Sequence, residues 1–118
     1  MQIWKKPIDQ EPGKQDGVRV MVDRSWPKEI LRSQAQVDVW LKGLAPSREL
    51  RRWYQGDPEK WTRFKRNYFR ELDYQVDEID RLAELARDRR VTLVYNARRG
   101  NGCHAAALKD YLTEKMDL

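Results

Sequence analysis

The apolar positions of this 118-residue chain follow two different spacings, one typical of strands and one typical of helices. Short apolar or β-branched runs at 2–4, 18–23 and 91–97 predict strands. The last run, VTLVYNA, is of the kind that parallel sheets bury on both faces. Apolar residues spaced three or four apart predict helices elsewhere. These helices are predicted at 35–44, 48–54, from Pro58 to near Tyr74, from Val76 to Ala86, and 105–116.

Two of the predicted helices have recognisable starts. Asp57-Pro58-Glu59 combines a side-chain cap, a proline at the first helical position and an acid in the first turn. Ser33 and Gln36 have the spacing of a capping box in front of residues 35–44. That second helix is predicted to place four apolar residues on one face: Val37, Trp40, Leu41 and Leu44.

The order of strand, strand, several helices, strand and helix predicts the fold class. We expect one α/β domain over residues 1–118, Rossmann-like, with a small, mainly parallel sheet of three or four strands. The helical crossover makes 18–23 and 91–97 parallel neighbours. Ligands of such sheets bind beyond the carboxyl ends of the strands, so Asp23–Trp26 and Asn96–His104 are expected to meet at one edge.

Composition indicates a globular protein, with 40% hydrophobic residues, five tryptophans and five tyrosines. One cysteine allows no internal disulfide, and residues 1–10 lack the apolar core of a signal peptide. No apolar run is long enough to cross a membrane. A cytoplasmic location without membrane contact is therefore the expectation.

The net charge of +5 is distributed in bands. Residues 48–70 hold eight bases and three acids, residues 71–88 hold two bases and seven acids, and residues 89–109 hold five bases and no acid. Three interpretations stay open. The bands can be solvated helix faces that pair with each other, a nucleic-acid-binding surface, or a scaffold in which charges pair between chains.

The segment Arg98–His104, RRGNGCH, follows the last strand and is the first candidate for chemistry. A glycine-containing basic loop before a helix offers backbone N–H groups to an anion, and Arg98, Arg99 and Arg24 would add charge. The alternative is a tight turn in which Gly100 and Gly102 supply positive φ and the arginines face solvent.

Cys103, His104 and Asp23 are the candidate catalytic residues. A cysteine at a helix start near arginines is expected to have a lowered pKa, and His104 or Asp23 would move a proton. Asp23 has two further alternatives: it orients His104 or Arg98, or it pairs with Arg24 or caps the following turn. Cys103 is alternatively a small buried hydrophobe, and His104 a helix cap. One histidine with one thiol is too few for a metal site, so no metal or cofactor is expected.

Candidate ligand-binding residues surround these groups. Trp26 and Trp53 would stack a ring or a base, unless both are core residues. Arg48, Arg51 and Arg52 would hold phosphate, unless they form a solvated face. The ligand-binding set is Arg24, Trp26, Asn96, Arg98, Arg99, Gly100 and Gly102.

Three stretches carry a resemblance to a known family: DGVRVMVDRSWPKEI (16–30), VWLKGLAPSRELRRWYQGDPEKWTRFKRNYFREL (39–72) and VTLVYNARRG followed by ALKDYL. Together they resemble the domain-of-unknown-function family 488, in its short, single-domain branch. The resemblance implies a compact α/β domain and supplies no activity. The family tends to have arginine and glycine after Trp26-Pro27, where this chain has Lys28-Glu29.

The last loop also departs from the family. Family members tend to have an acidic residue there, followed by histidine and asparagine, whereas this chain has Arg99 and then Gly102-Cys103. Cys103-His104-Ala105 is similar to a cysteine-histidine-arginine cluster of longer relatives, without its arginine. The resemblance therefore carries no catalytic role to this loop. The sequence predicts a protein that binds or processes a small anionic ligand, phosphorylated or nucleotide-like, at a basic strand-end pocket. A nucleic-acid-binding module or an interaction protein is the alternative.

Overall fold

A computed structural model describes residues 2–97 and 103–116, which form a parallel sheet covered by helices on both faces. The strands are β1 (Ile3–Pro7), β2 (Val18–Met21), β3 (Val39–Trp40) and β4 (Val91–Tyr95). The α-helices are α1 (Arg32–Ala35), α2 (Arg48–Tyr54), α3 (Trp61–Asp73), α4 (Val76–Asp88) and α5 (Cys103–Lys115). Single 3-10 turns span Lys42–Leu44 and Pro58–Lys60. The predicted α/β fold with a small parallel sheet is confirmed.

The strand order β1-β4-β2-β3 puts the β-branched run of β4 at the centre. Val91 pairs with Ile3 on one side and with Val18 on the other, and both ladders are parallel. All five residues of β4 are buried, which confirms that this run is covered on both faces. The predicted pairing of the second strand with the last strand is also confirmed, and it fixes which strand ends meet.

Two apolar clusters of unequal size cover the sheet. The larger one joins alternate strand residues, such as Val20 and Leu93, to helices α2, α3, α4 and α5. The smaller one contains four buried residues: Ile8, Met21, Ala35 and Val94. Half-buried Trp26 and Trp40 pack against the smaller cluster. Because strand side chains alternate between faces, Val94 and Leu93 belong to different clusters.

The prediction of a helix over residues 35–44 is wrong: this segment contains the end of α1, strand β3 and a 3-10 turn. Helix α1 ends at Ala35 because Gln36 adopts the left-handed conformation at φ 49°. The chain then runs beside β2: the Asp38 N–H donates to the Arg19 carbonyl at 2.9 Å, and Asp38 Oδ2 accepts from the Arg19 N–H at 2.8 Å. Ser33 does not cap α1, whose preceding residue is Leu31. The backbone hydrogen bonds with β2 therefore favour a strand here, although the spacing of Val37, Trp40, Leu41 and Leu44 fits a helix.

The other predicted helices form with few differences. The Asp57 carboxylate accepts from the Glu59 N–H at 3.0 Å, so the predicted start is confirmed, although its first turn is a 3-10 turn. The chain also breaks at Tyr74-Gln75 as predicted. Val76, the first residue of α4, is 53% exposed, whereas Ile79, Leu82, Ala83 and Ala86 of the same helix are buried.

A buried ionic cluster fixes the loop between β1 and β2. Asp16 accepts hydrogen bonds from the Gly13 N–H at 2.9 Å, from Lys6 Nζ at 2.8 Å and from Arg19 Nη1 at 2.6 Å. Burial raises the pKa of Asp16, but these three donors together outweigh burial, so the pKa lies below its usual value. The carboxylate therefore favours the folded state in its ionised form.

Candidate functional site

A cleft of about 880 Å³ opens at the carboxyl ends of β2 and β4. The two ends are joined because the Val22 N–H donates to the Val94 carbonyl at 3.1 Å and the Asn96 N–H donates to Asp23 Oδ2 at 2.7 Å. The predicted meeting of the two strand ends is therefore confirmed. The cleft is lined by Asp23, Arg24, Ser25, Trp26, Pro27, Lys28, Glu29, Ala45, Pro46, Arg51, Arg52, Tyr54, Gln55, Gly56, Phe64, Asn96 and His104.

Asp23 forms the base of the cleft and is held from three directions. Its Oδ1 lies 2.8 Å from His104 Nε2, its Oδ2 binds the Asn96 N–H, and its carbonyl accepts from Trp40 Nε1 at 2.7 Å. Asp23 is 9% exposed and His104 is 6% exposed. This geometry matches the expectation that Asp23 orients His104, and an ion pair between Asp23 and Arg24 is absent from the described contacts.

His104 enters the cleft because it lies in the first turn of α5. Its imidazole and the Asp23 carboxylate form an ion pair when the ring is protonated. The ring of Tyr68 lies edge-on behind it, with the centroids 6.4 Å apart. Burial raises the pKa of Tyr68 well above its usual value, and the carboxylates of Glu71 and Asp23 add to the increase. Tyr68 is therefore neutral, and its hydroxyl donates to the Leu44 carbonyl.

Four cations surround the opening of the cleft: Arg24, Lys28, Arg51 and Arg52. Arg24 Nη2 lies 3.5 Å from the carbonyl oxygens of Ala45 and Pro46. Within residues 2–97 and 103–116, none of the four cations forms a salt bridge. In contrast, Lys65 pairs with Asp110 at 2.8 Å on the outer surface. Two carboxylates, Asp23 and Glu29, also line the cleft, so the four cations leave the lining with an excess of positive charge.

Helix α2 brings Arg51 and Arg52 to the cleft. Ser47 caps this helix through its hydroxyl oxygen, which accepts from the Leu50 N–H at 3.2 Å. Glu71 on α3 then fixes the cap, because its carboxylate accepts from the Ser47 N–H at 2.8 Å and from the Ser47 hydroxyl at 2.6 Å. The start of α2 is thereby anchored to α3, and the following turn directs its arginines to the strand ends.

Aromatic residues form the apolar part of the lining. The Tyr54 and Phe64 rings stack with centroids 4.2 Å apart, and they belong to the larger apolar cluster. Trp26 packs edge-on against Trp40 at 5.5 Å. Trp53, the other tryptophan that the sequence singled out, lies outside the cleft lining and packs against the larger cluster.

The structure brings together only part of the predicted site. Asp23, Arg24, Trp26, Asn96 and His104 all line the cleft. Four predicted residues lie outside the described residues: Arg98, Arg99, Gly100 and Gly102. Cys103 begins α5, and its side chain also lies outside what is described.

Three cations that line the cleft are absent from the site that the sequence predicts: Lys28, Arg51 and Arg52. The sequence offers Arg51 and Arg52 as phosphate ligands, but nothing in the helical spacing of α2 indicates where that helix lies against the sheet. Lys28 differs from the family pattern, and its sequence position alone does not place it at the cleft. The available signal was the segment LAPSRELRRW (44–53), in which a cap is followed by paired arginines.

Within the described part of the chain, no group of three or more histidine, cysteine, aspartate or glutamate side chains could hold a metal ion. The helices of residues 2–97 and 103–116 are all too short or too polar to cross a membrane.

Comparison with known proteins identifies the family. A family model named DUF488-N3i, described as the inactive DUF488-N3 subclade, matches residues 2–118. The uncharacterized protein YeaO of Escherichia coli K12 is 35% identical over 112 residues, which cover 95% of this chain and 97% of that protein. The uncharacterized proteins Mb3100c of Mycobacterium bovis and Rv3073c of Mycobacterium tuberculosis are each 39% identical over 97 residues, 82% of this chain and 81% of theirs. No solved structure matches the chain. The chain belongs to the DUF488 family, within the subclade described as inactive DUF488-N3.

Proposed function

We propose that this protein binds a small phosphorylated anion in the strand-end cleft. The observation that carries the proposal is the set of four cations at the opening, which form no salt bridge among the described residues. The four cations outnumber the two carboxylates of the lining, Asp23 and Glu29, and an anionic ligand would neutralise the remaining positive charge. Three of the four are arginines, whose planar guanidinium groups bind phosphate oxygens in pairs.

The base of the cleft combines a carboxylate, Asp23, with the start of helix α5. The first turn of α5 faces the cleft at His104, and the start of a 13-residue helix favours negative charge. The Asp23 carboxylate keeps His104 in a fixed orientation. We therefore place the phosphate against the arginines rather than against the Asp23–His104 pair.

The subclade description supports binding rather than turnover. DUF488-N3i is described as inactive, and Lys28-Glu29 stands where the wider family tends to have arginine and glycine. We therefore propose a binding site in which Asp23 and His104 position the ligand. The proton-transfer or nucleophilic roles predicted for Asp23, Cys103 and His104 stay predictions beside this proposal.

The dimensions of the site favour a small ligand over an extended nucleic acid. A cleft of about 880 Å³ lies within the range of roughly 300–1,000 Å³ typical of small-molecule sites. Nucleic-acid binding requires a continuous basic face, and the acid-rich helix α4 interrupts the basic bands of the chain.

Thermal unfolding in the presence of phosphate, pyrophosphate, sulfate and sugar phosphates tests the proposal. Ligand at a hundredfold excess over its dissociation constant adds about 2.7 kcal/mol to the unfolding free energy, which raises Tm by on the order of 10 °C. Arg52→Ala is expected to reduce this shift. Arg48→Ala is the matched control, because Arg48 is an exposed arginine of the same helix that does not line the cleft.

Two results would overturn the proposal. One is the absence of a shift with every small anion. The other is an equal loss of the shift in Arg48→Ala and Arg52→Ala, which would indicate a general charge effect. Binding of an oligonucleotide with an affinity that falls steeply as salt rises, without any small-anion shift, would support the nucleic-acid alternative instead.

A further inference from the structure

We propose that the ligand carries a planar aromatic ring next to its phosphate, as a nucleoside phosphate does, and that Trp26 packs against this ring. The inference rests on the proposed anion site and adds the chemistry of the uncharged part of the ligand. Its starting point is size, because a single phosphate group fills only a small part of a cleft of about 880 Å³.

The lining has two chemically different sides. Arg24, Arg51 and Arg52 provide the charge, whereas Trp26, Tyr54 and Phe64 provide aromatic carbon. A purely ionic ligand would leave the half-buried Trp26 ring in contact with water, whereas Tyr54 and Phe64 are already buried in the larger cluster. A ligand with both a phosphate and a ring covers both sides and removes the apolar surface from water.

Trp26 is held in place before any ligand binds. Its indole N–H donates to the Ile30 carbonyl at 2.7 Å, the Trp40 ring packs against it at 5.5 Å and 64°, and the Arg32 guanidinium lies 5.2 Å from its ring centroid. The single polar hydrogen of the side chain is therefore already used. What the half-buried ring offers to the cleft is apolar aromatic surface in a fixed orientation, which suits a stacking partner and lowers the entropic cost of binding.

Comparing adenosine 5′-phosphate with ribose 5-phosphate by calorimetric titration tests the inference, because ribose 5-phosphate keeps the sugar and the phosphate and has an anomeric hydroxyl in place of the base. Stacking of one base on an aromatic side chain is worth about 5- to 150-fold in affinity. We expect the wild-type protein to prefer adenosine 5′-phosphate by such a factor. Trp26→Leu is expected to abolish the preference while retaining ribose 5-phosphate binding, and Trp26→Phe is expected to keep part of it.

Trp4→Leu is the matched control, because Trp4 is an exposed tryptophan on the edge strand β1, packed against Arg90 and outside the cleft lining. Equal affinity of the wild-type protein for both ligands would overturn the stacking proposal and leave the anion site intact. A preference that survives in Trp26→Leu, or that Trp4→Leu also loses, would overturn the assignment to Trp26. Failure of both ligands and of all inorganic anions would overturn the anion site as well.

Discussion

Replacing Gly17 with alanine tests how closely the entry to β2 is packed against the chain before β4. Gly17 has φ 68°, and a Cβ atom built there lies 2.1 Å from the Arg90 carbonyl oxygen and 2.8 Å from its carbonyl carbon. Both atoms are backbone, so no side-chain rotation relieves the contact. The same carbonyl accepts from the Val18 N–H at 2.9 Å, and Thr92 Oγ1 donates to the Asp16 carbonyl at 2.7 Å.

The expected loss of stability follows from these contacts. Holding alanine at positive φ costs about 1 kcal/mol. Separating the two backbone segments weakens the Val18 and Thr92 hydrogen bonds, each worth about 1 kcal/mol. We expect Gly17→Ala to lower the free energy of unfolding by about 3 kcal/mol, and the displaced β2 to shift Asp23 relative to Asn96.

Gly56→Ala is the matched control for this variant. Gly56 also has positive φ, at 75°, but a Cβ atom there meets nothing within 4 Å. Only the backbone cost of about 1 kcal/mol is expected. Urea unfolding of both variants, monitored by circular dichroism, gives the comparison. Equal destabilisation by the two alanines would refute the conclusion that close packing, rather than φ alone, requires Gly17.

Two further predictions concern buried carboxylates. The lowered pKa of Asp16 means that its stabilising contribution is present above the usual value of 3.8 and is lost as pH falls through the folded-state pKa. Asp16→Asn is therefore expected to be less stable than wild type at pH 7, with a difference that shrinks below pH 3.8 in unfolding experiments across pH. A difference that grows on acidification would contradict this sign. Asp23→Ala leaves the Asn96 N–H without its acceptor and removes the carboxylate beside His104, so we expect a loss of about 2–3 kcal/mol in urea unfolding. A loss under 0.5 kcal/mol would show that these contacts contribute little.

The parts of the fold that the sequence predicts best are those in which local pattern and tertiary role agree. The run VTLVY is buried on both faces, and α3 buries Phe64, Tyr68 and Leu72 at helical spacing. The segment after Ala35 shows where local pattern is insufficient. Its apolar residues fit a helix, but the free edge of β2 offers backbone hydrogen bonds that no local spacing encodes.

The candidate site also contains residues that the sequence predicts and residues that it does not. The rule that parallel strands present ligands at their carboxyl ends was enough to bring Asp23, Asn96 and His104 together. It could not indicate Arg51 and Arg52, because their position depends on how Glu71 anchors the start of α2. That contact joins residues far apart in sequence, so only the folded structure reveals it.

The unequal clusters on the two faces of the sheet give two parts of the cleft lining, the base at Asp23 and His104 and the segment around Trp26, different resistance to local unfolding. Asp23 and His104 adjoin Val22 and Ala105 in the larger cluster, and we expect the Val22 amide, which donates to the Val94 carbonyl, to exchange with solvent only when most of the fold opens. Trp26 belongs to the segment that covers the smaller cluster through a four-residue helix and a two-residue strand. This cover opens at a lower free energy. A ligand that contacts both parts of the lining must dissociate before the segment around Trp26 opens, so its binding free energy adds to the opening free energy of that segment. Hydrogen-exchange protection is therefore expected to rise most around Trp26.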